Sequence, residues 1–227
     1  MVRALLFCLV YLVSAPTTVL AQQEPPQEMK SNIPEFESAD GMVDWFESLS
    51  DSERSSHYLS KNPDGDVTSI ALFAPTATDK NIGLLSDLRS LRHLRIKCAN
   101  RMSTEGFDEL SKLHGLEHLE IGLVYGKLPV NFWQTLAALP RLKKVDLKYL
   151  ELNEGEMAGI EKLSVLESIS FQNIKGMTQM SCEQMSVLDG LRILKLSRTT
   201  LRPSDLSPLN RISSKCKILV EFNRNAR

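Results

Sequence analysis

The stretch Leu191-Arg-Ile-Leu-Lys-Leu-Ser-Arg-Thr-Thr-Leu201 contains the pattern that decides the fold. Its apolar residues follow the frame L-x-x-L-x-L, in which other aliphatic residues or phenylalanine can replace leucine. The same frame begins at residues 67, 91, 116, 142, 166 and 191, with a spacing of 24 to 26 residues. This period and pattern predict a solenoid in which each turn contributes one strand and one short helical segment.

The second half of each repeat is also regular. Apolar residues precede the next frame by nine, six and three residues, as do Ile82, Leu85 and Leu88. This spacing places their side chains along one face of a short helix. Such helices are not stable alone, so we expect each to pack on the strands and on its neighbours. The repeats differ in length directly after the strands, where we expect loops, at 97–101, 122–127 and 172–176.

These frames resemble the leucine-rich repeat, and residues 191–201 are similar to segments of secreted bacterial leucine-rich repeat proteins. The resemblance covers about residues 67–222. It implies an α/β leucine-rich repeat solenoid, with a curved parallel sheet on the concave face and short helices on the convex face. It also implies a protein partner of unknown identity, and it carries over no catalytic residue and no cofactor.

The N-terminal residues have a different character. Arg3 is followed by an apolar run over residues 4–13 and by small residues before Gln22, which predicts a signal peptide. The run is too short to span a membrane. We therefore expect a secreted protein, or one of the periplasm or cell envelope, without a membrane span after cleavage.

The chain divides into four regions. After the signal peptide comes a polar, proline-containing stretch that predicts a disordered tether. Next, Met42, Trp45 and Phe46 lie at helical spacing, and a short second helix is expected to hold Tyr58 and Leu59. The predicted regions are a signal peptide over 1–21, a disordered acidic linker over 22–35, a helical N-terminal cap over 36–66 and the leucine-rich repeat domain over 67–227.

Charge is unevenly distributed along the chain. Residues 22–66 contain 11 acidic and 3 basic residues, whereas residues 67–227 contain 17 acidic and 23 basic residues. The acidic segment either solubilises the chain or competes with an acidic ligand for the basic repeats. Because the basic residues are spread along the repeats rather than clustered, we do not expect nucleic-acid binding.

Three cysteines follow the predicted cleavage site, namely Cys98, Cys182 and Cys216. An odd number in an exported chain leaves at least one free thiol or an intermolecular bond. Cys182 occupies a core position of its helix, which predicts a small buried side chain. The chain contains no C-x-x-C pair, which argues against a zinc site built on cysteine.

The strand residues between the core positions point to the opposite face and form columns of lateral neighbours. One column contains His93 and His118 on consecutive strands, with Glu120 one column away. Two imidazoles and a carboxylate could bind zinc or copper, but Arg95 and Lys144 flank them and oppose a cation. We therefore predict no metal site, and the alternative is a pH-sensitive histidine pair.

The same columns contain the candidates for partner binding. Arg95 with Glu120, and Lys144 with Asp146, are expected to form surface ion pairs of little energetic value. Aromatic and basic side chains supply more interface energy. The predicted binding residues on the concave face are Phe73, His93, Arg95, Lys97, His118, Glu120, Lys144, Asp146, Lys148, Tyr149, Lys195 and Arg198.

No catalytic motif is present: the chain lacks G-x-S-x-G, a phosphate-binding glycine loop and H-E-x-x-H. We therefore predict an exported, non-catalytic, monomeric protein-binding module that uses its concave face. The alternative is a structural or envelope-associated protein that assembles through an exposed C-terminal edge. That edge would be the last predicted strand, which carries Ile218, Val220 and Phe222.

Overall fold

The structure is a computed structural model, and it describes residues 35–49, 58–73, 76–152, 157–212 and 215–222. The predicted signal peptide over 1–21 lies outside these ranges, as do residues 22–34 of the predicted linker. Residues 34–227 belong to one compact unit.

Eight strands form one sheet, and their order in space is their order in the sequence. The first pair is antiparallel, and the six following pairs are parallel. The strands are β1 (Tyr58–Lys61), β2 (Val67–Leu72), β3 (His93–Lys97), β4 (His118–Gly126), β5 (Lys144–Leu150), β6 (Ser168–Gln172), β7 (Ile193–Ser197) and β8 (Lys217–Glu221).

The connections between parallel strands contain short helical segments, which begin at capping residues that the repeats supply. The Oγ1 of Thr78 accepts from the backbone N–H of Asn81, and the Oγ of Ser103 accepts from that of Glu105. The α-helices are α1 (Ala39–Ser48), α2 (Asp79–Leu84), α3 (Thr104–Glu109), α4 (Phe132–Ala137) and α5 (Gln179–Met185). The 3-10 helices are Leu85–Asp87, Ala99–Arg101, Leu110–Lys112, Ile160–Lys162 and Pro203–Arg211.

The strands β2 to β7 keep one register, so equivalent residues of successive turns lie side by side. One core column is at most 2% exposed, and a second is fully buried. Each buried side chain contributes roughly 1.5–3 kcal/mol to the stability of the fold. The stacking of equivalent residues confirms the predicted α/β leucine-rich repeat solenoid. The first column is Ile70, Leu94, Leu119, Val145, Ile169 and Leu194, and the second is Leu72, Ile96, Ile121, Leu147, Phe171 and Leu196.

The helix α1 packs its apolar face into the core, with Met42 and Phe46 buried. A buried Asn81 connects this segment to the first turn. Its Oδ1 accepts from the backbone N–H of Phe36 at 3.4 Å, and its Nδ2 donates to the carbonyl of Thr76 at 3.0 Å. Apolar packing and this internal amide therefore both hold the segment over 36–49 on the first turn.

The predicted second helix over Tyr58 and Leu59 is wrong, because this segment forms strand β1. It pairs antiparallel with β2 and places Leu59 opposite Ile70. An edge strand has unpaired backbone groups, and β1 satisfies those of β2. The loop expected over 122–127 is also wrong, because backbone pairing extends into this segment. There, β4 runs on to Gly126, which pairs with Leu150 after a shift in register.

The alternation between core and open positions can be tested on one strand. We expect Ile169→Asp to unfold the protein, because it places an unpaired charge in the fully buried column, at a cost above about 4 kcal/mol. The adjacent Ser168→Asp faces the other way and is expected to change stability by less than about 1 kcal/mol. Thermal unfolding followed by circular dichroism measures both, and a folded Ile169→Asp protein would contradict the register.

Candidate functional site

The strands β3 to β8 turn alternate side chains away from the buried core, and we call this surface the open sheet face. Its residues alternate with the buried columns along each strand. They are His93, Arg95, Lys97, His118, Glu120, Gly122, Lys144, Asp146, Lys148, Ser168, Ser170, Gln172, Ile193, Lys195, Ser197, Lys217, Leu219 and Glu221.

The structure divides the predicted binding residues into two groups. Eight of them lie together on the adjacent strands β3, β4 and β5. Lys195 and Arg198 are separated from these by β6, whose open-face residues are Ser168, Ser170 and Gln172. Phe73 follows β2 and is half-buried, and Tyr149 lies near the end of β5. The eight grouped residues are His93, Arg95, Lys97, His118, Glu120, Lys144, Asp146 and Lys148.

Glu120 is the centre of the first group, and its burial was not expected. Its side chain is only 11% exposed. One carboxylate oxygen accepts from the Nε of Arg95 at 2.8 Å, and the other accepts from the Nζ of Lys148 at 2.8 Å. The predicted pair with Arg95 is confirmed, but its description as an ordinary surface pair is wrong. Because Glu120 is buried and paired with two cations, its role is to hold side chains of neighbouring strands together.

Asp146 has a similar arrangement and is 13% exposed. Its Oδ2 accepts from the Nζ of Lys144 at 3.0 Å, as predicted, and from the Nε2 of His118 at 2.8 Å. The contact with His118 is diagonal across the strands and was not predicted from the sequence. The two carboxylates thus connect β3, β4 and β5 through side chains as well as through the backbone.

The pKa of both carboxyl groups reflects this arrangement. Burial by itself would raise the pKa of Glu120, but the hydrogen bonds and charges of Lys148 and Arg95 outweigh it and lower the pKa. Burial likewise opposes ionisation of Asp146, and His118 and Lys144 together lower its pKa. Both groups are therefore ionised at neutral pH, and they neutralise cations of the same face.

The rings of His93 and His118 are neighbours, as the predicted column requires. Their centroids are 5.8 Å apart in an edge-to-face arrangement. The carboxylates beside them are occupied, since Glu120 binds Arg95 and Lys148. Among the described residues, no three His, Cys, Asp or Glu side chains come together as a group that could hold a metal ion.

Two cations of the face, Lys97 and Lys195, and Arg198, which follows β7, are unpaired within the described part of the chain. No described carboxylate lies within 4.0 Å of the charged nitrogens of Lys97, Lys195 or Arg198. Beside Lys195 the face also exposes apolar side chains, with Ile193 37% and Leu219 40% exposed. These two residues were not among the predicted site residues, because the repeat pattern alone does not indicate their exposure.

A left-handed backbone conformation recurs where four of the strands end. The φ angles are 60° at Cys98, 56° at Tyr149, 55° at Asn173 and 53° at Arg198. This conformation costs a non-glycine residue roughly 1–2 kcal/mol. It turns the chain out of the strand while the amide still pairs with the next turn, as when Arg198 N–H donates to the carbonyl of Glu221 at 2.8 Å. Tyr149 and Arg198 therefore lie at the rim of the open sheet face.

None of Cys98, Cys182 and Cys216 forms a disulfide within the described part of the chain. Cys182 is fully buried, as predicted. Burial raises the pKa of its thiol to about 12, and the nearby charges of Asp205 and Glu183 act in the same direction. Burial also raises the pKa of Cys216. These thiols are protonated and poorly nucleophilic at neutral pH.

Two shallow concavities of the described residues lie away from the open sheet face. One is a shallow groove beside Pro140 and Arg192, and the other lies beside Ser103 and Lys127. No helix in the described ranges combines the length and the apolar character that crossing a bilayer would require.

No protein-family model matches the chain, and no curated protein matches its sequence. Solved structures with a similar fold include "Crystal structure of PEPR1-AtPEP1", at 15% identity and a TM-score of 0.41, which covers 73% of this chain and 26% of that one. Another is "Crystal structure of TLR13-ssRNA13 complex", at 15% identity and a TM-score of 0.35, with 69% and 33% covered. The chain thus spans about a quarter to a third of the length of these structures.

The role of Glu120 can be measured through stability. We expect Glu120→Gln to lower the free energy of unfolding by about 1–2 kcal/mol at pH 7, because two cations lose their buried partner. The control Glu167→Gln removes an exposed carboxylate that lies 3.9 Å from Arg192, and should cost less than about 0.5 kcal/mol. Urea unfolding measures the stability of both variants, and equal losses in the free energy of unfolding would contradict a stabilising role of Glu120.

The same variant tests the pH dependence. A lowered carboxyl pKa adds stability above the ordinary pKa, and this stability is lost as the pH falls through the lowered value. The difference in the free energy of unfolding between wild type and Glu120→Gln should therefore narrow as the pH falls from about 5 to about 3. A gap that stays constant over this range would show that the charge of Glu120 is not what stabilises the face.

The buried thiol can be tested by chemical labelling. We expect a thiol reagent at about pH 8 to label Cys98 and Cys216, which are half-buried, before Cys182, which is buried and protonated. In denaturant all three should react alike. Peptide mapping by mass spectrometry identifies the labelled residues, and labelling of native Cys182 as fast as that of Cys98 would contradict its burial.

Proposed function

We propose that the chain is an exported, non-catalytic binding module that captures an acidic segment of a protein partner on its open sheet face. Export to the medium or to the cell envelope is supported by the signal-like residues 1–21. The binding proposal rests on the charge and the exposure of the open-face side chains. The single observation that carries it is the set of unpaired cations Lys97, Lys195 and Arg198.

The charge balance of the open sheet face favours an acidic ligand. Six of its residues are lysine or arginine and three are acidic. Two of the three acidic residues, Glu120 and Asp146, are already neutralised by cations of the same face. A ligand would therefore meet mainly positive charge, which attracts acidic partners over a distance of about 8 Å at physiological salt.

Apolar and aromatic side chains beside the cations favour a polypeptide over a nucleic acid. Ile193 is exposed beside Lys195, and the half-buried Tyr149 lies at the rim of the face. Tyrosine and arginine supply much of the binding energy in protein interfaces. The six cations are also interrupted by the neutral strand β6, so they do not form the continuous basic stripe typical of nucleic-acid binding.

We assign no chemical step to the hydrogen bond between His118 and Asp146. A histidine oriented by a carboxylate is one part of a hydrolytic site. The ring of His118 lies against that of His93, and Lys144 shares the carboxylate of Asp146. The pair therefore positions side chains within the sheet face.

Competition by the acidic residues of the chain itself can be tested separately. Residues 22–66 contain 11 acidic and 3 basic residues. If this segment competes for the open sheet face, replacing its carboxylates by amides will raise the affinity for an added acidic peptide. If it only solubilises the chain, the affinity will not change.

The proposal is tested by selecting peptides from a random display library with the mature protein as bait. We expect the selected peptides to be rich in Asp and Glu together with apolar residues. The triple variant Lys97→Ala, Lys195→Ala and Arg198→Ala should weaken their binding at least tenfold, since each lost contact is worth roughly 0.5–1 kcal/mol. Fluorescence anisotropy measures the affinities.

A matched control removes the same charge elsewhere. Arg101→Ala, Lys162→Ala and Arg211→Ala change three exposed basic residues of the helical segments, and this variant should bind within about threefold of wild type. Equal losses in the two triple variants would show general charge attraction instead of a site. Selection of basic peptides, or tighter binding of single-stranded RNA than of the peptides, would also overturn the proposal.

A further inference from the structure

The strand β8 is the last strand of the sheet, and within the described residues no strand pairs with its outer edge. The opposite end is different, since β1 and α1 cover β2 there. On β8 the core columns continue but are not covered. Ile218 pairs with the buried Leu194 and is itself 37% exposed, and Val220 pairs with the buried Leu196 and is half-buried.

The backbone of β8 has a defined orientation. The N–H of Lys217 donates to the carbonyl of Arg192 at 2.7 Å, and the carbonyl of Glu221 accepts from the N–H of Arg198 at 2.8 Å. Because backbone groups alternate along a strand, Lys217, Leu219 and Glu221 turn theirs toward β7. Ile218 and Val220 therefore turn their N–H and carbonyl groups outward, where they can form hydrogen bonds with a further strand.

The sequence of β8, Lys217-Ile-Leu-Val-Glu221, is complementary to itself when it is read antiparallel. With Leu219 opposite its own copy, each Lys217 faces a Glu221, and each Ile218 faces a Val220. Ile218 and Val220 are also the residues whose backbone groups point outward. The register that pairs the charges is thus the register that forms four backbone hydrogen bonds.

We propose that β8 is a homodimerisation edge and that its partner is β8 of a second copy of this chain, paired antiparallel about Leu219. The two-fold axis lies perpendicular to the sheet, so both copies keep their core on the same side. Ile218 and Val220 of each copy then extend the other copy's core columns, and the two sheets become one of sixteen strands.

The charges select this register over its neighbours. A shift of two residues in either direction would break both Lys217–Glu221 contacts, because it would place either Lys217 or Glu221 opposite Leu219 of the other copy. A shift of one residue would bring core positions opposite open-face positions. Glu221 has room for the contact, because only its Oε2 is used, in a hydrogen bond from Ser197 Oγ at 2.6 Å. A monomer was expected from the sequence, and the exposure and pattern of β8 lead us to propose a dimer instead.

Reversing the charges tests the pairing. We expect sedimentation of the mature chain at roughly 1–100 μM to show a reversible dimer. Glu221→Lys alone and Lys217→Glu alone should each raise the dissociation constant at least tenfold, because like charges then face each other. An equimolar mixture of the two variants restores both Lys–Glu contacts and should dimerise again, as should the double variant Lys217→Glu with Glu221→Lys.

The outcomes are separable from those of the ligand proposal, since neither Lys217 nor Glu221 belongs to the triple variant that tests peptide capture. Circular dichroism should show the same fold and melting temperature for all variants at a concentration where wild type is monomeric. A wild-type monomer at the highest concentration would overturn the proposal. A dimer that persists in both single variants would also overturn it, because the copies would then associate through another surface. A mixture of the two variants that stays monomeric would exclude the proposed register.

Discussion

The structure depends on the stacking of equivalent apolar residues on neighbouring parallel strands. Leu94, Leu119 and Val145 lie side by side, and each is at most 2% exposed. No single turn buries enough surface to compensate for the entropy of ordering its residues. Stability therefore comes from the contact between turns, and the register must be kept along the whole stack. That requirement also determines which side chains are left for binding, because strand residues alternate between faces.

Much of this could be predicted from the repeat, because the burial of aliphatic residues is a local pattern repeated at a fixed period. The core columns, the burial of Cys182 and the adjacency of His93 and His118 all follow from the spacing. The second helix expected at Tyr58 could not be excluded in this way. That segment is a strand because it pairs with β2 across the turn over residues 62–65, and this short-range hairpin signal is separate from the repeat period.

The ion pairs of the open sheet face show a second limit of prediction from the sequence. Arg95 with Glu120 and Lys144 with Asp146 were predictable, because one pair is lateral and the other lies two residues apart on one strand. The contacts of Lys148 with Glu120 and of His118 with Asp146 are diagonal, and each cation had more than one carboxylate within reach. Which carboxylate each cation contacts depends on side-chain orientation and on burial. Burial also distinguishes these pairs from ion pairs on an exposed surface.

By itself the sequence determined the repeat, the core columns and the set of residues on the open sheet face, since a period of 24 to 26 residues and the alternation along each strand are local properties. The tertiary structure alone decided which of those residues remain available. It buried Glu120 between two cations, left Lys97, Lys195 and Arg198 unpaired within the described chain, and exposed Ile218 at the last edge. Burial and pairing depend on neighbours from other turns, and a residue's neighbours exist only once the strands are stacked.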